Sequence, residues 1–264
     1  MVKTLYLPPD LIITNAPLLM KNVLLVTDNE QLLSRFRKLV DEKNFTASGE
    51  YTFEYAFSFN NKALAQKFEH ESWIGPVRIK DSVDELISKY DLVFSLHCKQ
   101  IFPAKLVNNV KCINIHPGLN PDNRGWFPQV FSILNGLPCG ATIHEIDEAL
   151  DHGNIICQKE VKIELWDTSF TAYNKILDAE IELLSEHFES ILKGTYTSAA
   201  PGREGNVNLK KDFDALCGID LNDTDTFLNH INRLRALTHG NYANAYFTDK
   251  DGNKVFLKLE LTKV

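Results

Sequence analysis

Strands that alternate with helices along most of this 264-residue chain predict an α/β protein with a mostly parallel sheet covered on both faces. The prediction rests on the opening strand and helix, on the aromatic alternation that follows them, and on a long amphipathic helix that begins near Asp167. Asn22 to Glu30, NVLLVTDNE, is a short apolar run ending in polar residues, the pattern of a buried strand. In the next segment, EQLLSRFRKLVDEKN, Leu32, Leu33, Phe36, Leu39 and Val40 recur at helical spacing. In TFEYAFSF, Phe53, Tyr55, Phe57 and Phe59 alternate with smaller or polar residues, as in a strand with one buried face. A helix near Ser82 to Lys89 and strands at Leu92 to Ser95 and Val110 to Asn114 continue the alternation.

Farther on, WFPQVFSILNG predicts a short helix closed by Gly136, and GATIHEID alternates as a strand. The long helix has Asp167 or Thr168 as its N-cap, with Phe170, Tyr173, Ile176, Leu177, Leu184, Phe188 and Ile191 as its apolar stripe and Gly194 as its stop. GTYTSAAPGREGNVN reads as a linker or binding loop. Beyond it come a helix, DTFLNHINRLRALTHG, and two strands about an Asp-Gly turn, with Val255, Leu257, Leu259 and Leu261 on one face. Such a hairpin is too small to stand alone, so its apolar face must pack on this chain or on a partner subunit. The organisation expected is therefore residues 1–19 as an N-terminal arm or appended remnant, residues 20–200 as the main domain, and residues 201–264 as a small α+β region.

Composition narrows the function. A formal net charge of −7 without a Lys/Arg-dense segment argues against a nucleic acid as the main ligand. Five cysteines, an odd number with no C-x-x-C pair, suggest neither a disulfide framework nor a zinc ribbon, and fit a reducing, cytoplasmic setting. No apolar run reaches membrane-spanning length, and the start of the chain lacks the basic-then-apolar order of a signal peptide. The first strand-helix turn, VTDNEQ, has no glycine, which removes the dinucleotide reading.

Ligands of parallel sheets collect at the carboxyl ends of the strands. There the sequence puts Asn114 and His116, in INIHPGLNPDNRG, and Asp151 after TIHEIDEAL. Each alone has a plain structural reading as a turn or cap residue. Together they make a set that suits acyl transfer to a nucleophile brought by the substrate: an imidazole and an amide to hold an oxyanion, and a carboxylate to orient the imidazole. No G-x-S-x-G elbow is present, Cys98 reads as a packing residue, and His97, Cys98 and His116 match no zinc spacing, so no metal is expected.

INIHPGLNPDNRG followed by LNGLPCGATIHEIDEALDHGNII resembles the core signature of the 10-formyltetrahydrofolate-dependent formyltransferases, over roughly Asn22 to Lys193. The resemblance implies a Rossmann-like formyltransferase fold, 10-formyltetrahydrofolate as co-substrate, and Asn114, His116 and Asp151 as the catalytic triad. It implies that Lys99, Gln100, Ile101 and Phe102 border the pterin and that Asp147 and Glu148 close its other side. The tail HINRLRALTHGNYANAYF, together with Trp126-Phe127, resembles the sugar-nucleotide N-formyltransferases. The implied acceptor is a dTDP-linked amino-dideoxy sugar used for surface polysaccharide (O-antigen), a 4-amino-4,6-dideoxyglucose ranked above 3-amino sugars. The implied assembly is a homodimer formed through the C-terminal region.

A nucleotide needs an aromatic face and cations. Tyr242, Tyr246, Arg203, Arg233 and Arg235 are the candidates, with Arg124 and Trp126 at the sugar pocket. Tyrosines half-buried in a hairpin, arginines on a solvated helix face and a core tryptophan are the competing readings. His97 either touches the sugar or satisfies a buried backbone group. Methionyl-tRNA formylation and a non-catalytic binding protein of the same fold remain as alternatives.

Overall fold

The computed structural model describes residues 20–264, so the expectation for the first nineteen lies outside the described residues. The sheet is assembled from β1 (Lys21–Thr27), β2 (Tyr51–Ser58), β3 (Ile74–Val77), β4 (Leu92–Leu96) and β5 (Lys111–His116), all parallel. A short β6 (Arg124–Gly125) leaves the sheet, and β7 (Gly140–Glu145) and β8 (Ile155–Glu160) complete it antiparallel. The order β3-β2-β1-β4-β5-β7-β8 places the reversal of winding between β1 and β4. The predicted α/β class is the observed one. β3 and β8 escaped the sequence reading: β3 is four residues broken by Gly75 and Pro76, and β8, IICQKE, does not alternate and ends in three exposed polar residues.

Helices cover both faces. On one side α1 (Glu30–Glu42) packs its stripe of Leu32, Leu33, Phe36, Leu39 and Val40 on the sheet, its first turn capped by Asn29 Oδ1 accepting from the Leu32 amide at 3.0 Å. The short α2 (Lys62–Lys67) adds Leu64 to the same core. On the other side lie a 3-10 turn at Ile79–Asp81, α3 (Val83–Lys89) and α4 (Ala104–Val107). α5 (Pro128–Asn135) ends on Gly136 at φ 71°, a left-handed cap that glycine adopts without strain. The long helix is α6 (Ser169–Lys193), capped by Thr168 and stopped by Gly194. Its Phe188 ring lies 5.1 Å from Phe36 and 5.5 Å from Phe94, at the centre of the larger core.

Two aromatic expectations are corrected. Phe59 falls past the end of β2 and is exposed, with the Arg78 guanidinium 3.7 Å over its ring. Phe170, in the first turn of α6, is also exposed, its ring 5.6 Å from His239.

The loop after α6 is stitched down at Ala199, which bridges Ile155, and at β9 (Val207–Asn208), which pairs with β6. The remainder comprises α7 (Lys210–Cys217), unpredicted, then α8 (Phe227–Leu237) and the hairpin β10 (Ala245–Thr248) and β11 (Lys254–Leu257). The hairpin leans on its own chain, with the Ile219 amide donating to the Tyr246 carbonyl at 2.8 Å. Leu259 and Leu261 lie beyond β11 rather than in it, and Val255 and Phe256 stay exposed.

Candidate active site

β5 brings Asn114 and His116 to the carboxyl edge on one face, while Ile113 and Ile115 alternate into the core. Asp151 arrives from the turn between β7 and β8, in the left-handed region at φ 47°. Three hydrogen bonds hold it there. Asn120 Nδ2 donates to its carbonyl at 2.8 Å, the Gly125 amide to Oδ2 at 3.0 Å, and Asn114 Nδ2 to Oδ1 at 3.0 Å. His116 Nδ1 stands 3.6 Å from Asp151 Oδ2, an ion-pair distance longer than a hydrogen bond. The three residues named from the sequence therefore converge.

Burial dominates the charge state of His116. It lowers the imidazole to about 4 against the pull of Asp151, so the ring is neutral near pH 7. Burial pushes the Asp151 carboxyl up, but His116, His144 and the Gly125 amide more than reverse that, and it lies well below the usual carboxylate range. His116 Nε2 is buried without a partner, and a Cβ at residue 118 would sit 2.5 Å from it, so Gly118 is required beside this nitrogen.

His144 is a member of the site that the sequence reading missed. It pairs with Asn114 across β5 and β7 and is 1% exposed. Its Nδ1 lies 2.7 Å from the Glu145 carbonyl, an acceptor, so Nδ1 carries the hydrogen and Nε2 accepts from Asn114 Nδ2 at 3.2 Å. Both amide hydrogens of Asn114 are thus engaged, by His144 and by Asp151. The alternation of Thr142 and His144 in GATIHE was the available signal, but only strand pairing identifies the partner.

Of the residues expected around the pterin, Lys99 and Ile101 are exposed, the latter at 82%. Gln100 and Phe102 help build the loop. Gln100 accepts from the Ile79 amide at 3.0 Å and donates to the Val77 carbonyl at 3.0 Å, and Phe102 is buried with Leu24 and Leu106. Asp28 secures the same loop by accepting from the Lys99 amide at 2.8 Å. Asp147 holds His152 at 2.8 Å, and Glu148 accepts from Asn108 at 3.1 Å. Asp147 also lines a hollow of about 230 Å³ with Val107, Lys111 and Gly153.

Arg124, 6% exposed, and Arg203 line a second hollow of about 240 Å³ beside His152, where Arg124 pairs with Glu204 at 2.9 Å and Arg203 with Asp122. Trp126 is half-buried, its ring 5.5 Å from Phe127. Tyr242 is exposed, 5.9 Å from His239, whereas Tyr246 sits in the hairpin beneath the Lys254 ammonium. Arg233 and Arg235 both bond within the chain. Arg233 donates to the carbonyls of Leu216 and Gly218, at 3.1 and 2.7 Å. Arg235, buried, donates to those of Glu164 and Asp167, at 3.0 and 2.8 Å. These are ties between segments. Among the described residues no cluster of metal-ligating side chains is found.

The sheet brings an amide, an imidazole and a carboxylate together at its carboxyl edge, a set able to stabilise an oxyanion, and the family comparison makes the protein a one-carbon transferase. Residues 21–188 match the family described as formyl transferase and residues 212–263 the N-formyltransferase dimerization C-terminal domain; the chain belongs to the formyl transferase family. It is 55% identical over 183 residues, 69% of this chain and 78% of the relative, to the dTDP-4-amino-4,6-dideoxyglucose formyltransferase of Mycobacterium bovis. Among solved structures it matches a 4-N formyltransferase from Francisella tularensis at TM-score 0.87 and 48% identity, covering 93% of this chain and 99% of that one. A sugar N-formyltransferase from Shewanella sp. FDAARGOS_354 matches at TM-score 0.87 and 44% identity, with the same coverage of 93% and 99%.

Proposed function

We propose that this protein transfers the formyl group of 10-formyltetrahydrofolate to the 4-amino group of dTDP-4-amino-4,6-dideoxyglucose, a step toward surface polysaccharide. The observation that carries the chemistry is the locked Asp151 beside a neutral, buried His116 whose Nε2 has no partner. Identity of 55% to a relative of that name supports the acceptor.

In this reading Asn114 donates to the formyl oxygen as charge develops on it when the amine attacks, and His116 joins it as a donor once Nε2 is protonated. Asn114 reaches that oxygen by exchanging its hydrogen bond to His144. Asp151, already ionised, stabilises the imidazolium that forms when His116 takes a proton from the nitrogen of the adduct, and His116 then delivers that proton to the departing folate nitrogen. Lys99 and Ile101 flank the pterin on one side and the Asp147 segment on the other. Arg124, Arg203, Trp126 and Tyr242 contact the sugar nucleotide.

The same reading places the boundary between catalytic and C-terminal regions near residue 200 and makes the C-terminal region a homodimer contact. No helix among the described residues is long and apolar enough to cross a membrane. The five free thiols support the cytoplasm as the working compartment. The experiment is release of tetrahydrofolate from 10-formyltetrahydrofolate with a panel of dTDP-amino sugars. The 4-amino-4,6-dideoxyglucose compound is expected to have the highest kcat/KM. A preference for a 3-amino isomer would overturn the ring position, and no release with any of them would overturn the acceptor class.

A further inference from the structure

An aliphatic amine is mostly an ammonium near neutral pH. Becoming an amide, that nitrogen gives up two protons, one that ends on the folate nitrogen and one that ends in water. His116 accounts for the first. Burial makes it a weak base, and its task is to hand the proton on, so the second transfer needs another acceptor.

A buried polar chain stands at the point where the winding of the sheet reverses. His97 directly follows β4, and the pairing of Leu96 with Ile115 makes it the lateral neighbour of His116. Leu96 packs with the α6 side of the core, so strand alternation alone would turn His97 to the opposite face. Instead His97 takes φ 56°, a left-handed conformation uncommon for a residue with a side chain, and its ring meets α6. Nε2 lies 2.7 Å from Glu180 Oε1 and Nδ1 lies 2.9 Å from the Tyr173 hydroxyl. Asn29, which follows β1, donates to the same hydroxyl at 2.8 Å. Glu180 is 0% exposed and its Oε2 has no partner. Burying a half-satisfied carboxylate disfavours folding, so its retention calls for another reason.

The hydrogens can be assigned. A carboxylate only accepts, so His97 Nε2 carries the proton and Nδ1 presents a lone pair. The Tyr173 oxygen accepts from Asn29, and its own hydrogen goes to His97 Nδ1. One lone pair of that oxygen remains free, in the crevice between the ends of β1 and β4 where doubly wound sheets bind ligands.

We propose that Tyr173, His97 and Glu180 form a proton relay that deprotonates the acceptor's ammonium before it attacks; the inference rests on the formyltransferase reading above. The ammonium donates a proton to the Tyr173 oxygen while the Tyr173 O–H proton passes to His97 Nδ1. The product is an imidazolium whose Nε2–H stays on the Glu180 carboxylate, with the lone pair of the amine freed for the formyl carbon. The imidazolium releases its proton to water after turnover. Tyr173 touches the substrate; His97 and Glu180 act through it. The groups facing the ring are Tyr173 and Glu180 from α6, Asn29 from the turn after β1, and His116 from β5, with His239 behind Tyr173 at 5.5 Å between ring centroids.

The test is kcat/KM against pH for the wild type, Tyr173→Phe and Glu180→Gln. Below the pKa of the acceptor's amine, Tyr173→Phe is expected to lose about 10²-fold. That loss should shrink as pH rises past the same pKa, where the amine arrives neutral. A loss of equal size at every pH would make Tyr173 merely structural and overturn the relay. Glu180→Gln keeps the hydrogen bond but removes the charge, and ¹⁵N NMR of the imidazoles reads the result without turnover. The His97 Nε2–H resonance, bonded to the Glu180 carboxylate in the wild type, should move upfield in the variant. An unmoved resonance overturns the relay even if the wild type turns over no amino sugar, an outcome that by itself overturns only the acceptor reading.

Discussion

His116 shows how one residue couples catalysis to stability. Its folded-state pKa of about 4 lies below the usual value for a free histidine, so the unfolded chain takes up the proton first as pH falls. The stabilising contribution is therefore complete above about pH 6.5 and is lost as pH drops toward 4. We expect the urea midpoint of the wild type to fall across this window and the slope to flatten in His116→Asn, measured by circular dichroism. Asp151 has the same sign at lower pH, since its depressed carboxyl is stabilising above the normal carboxylate range and loses that effect as it protonates. The sequence named both residues because their chemistry is visible in their type and strand-end position. It missed His144, because an imidazole within an alternating strand reads as a core residue until β7 is laid antiparallel beside β5. It did not show that Arg233 and Arg235 donate to distant carbonyls, because a guanidinium tied down in this way looks the same in one dimension as a free one.

At the scale of elements, α6 connects the core to the site. Its middle and end bury Ile176, Leu177, Leu184 and Phe188 against the sheet, while its start carries Tyr173 toward His97. Phe188, fully buried, touches four aromatic rings, from Phe36, Phe45, Phe53 and Phe94. Phe188→Ala should lower the free energy of unfolding by about 3–5 kcal/mol, measured by denaturant titration. Helices with clear apolar stripes and caps, such as α1 and α6, were readable because their periodicity runs over several turns. β3, β8 and α7 were not, since each is short and lacks a sustained stripe.

At the scale of the whole molecule, large apolar side chains stay exposed in the C-terminal region. Leu221, Phe227, Leu228, Val255 and Phe256 are exposed there, within or beside the part matching a dimerization domain. Isolated exposed apolar residues are ordinary, but a concentration of them in one small region marks an interaction surface. Phe256→Asp is expected to shift the protein from dimer toward monomer in light scattering behind size exclusion, with the secondary structure unchanged by circular dichroism. A monomeric wild type would remove this assignment.

Sequence alone determined the α/β class, the principal helices and the three chemical groups at the strand ends, since these depend on local periodicity and residue type. Tertiary structure alone decided which hydrogens Asn114 gives and to whom, which arginines are tied down, and that His97 faces Glu180. Those outcomes depend on distances between residues far apart in the chain, and on a left-handed backbone at position 97 that reverses the direction strand alternation would assign.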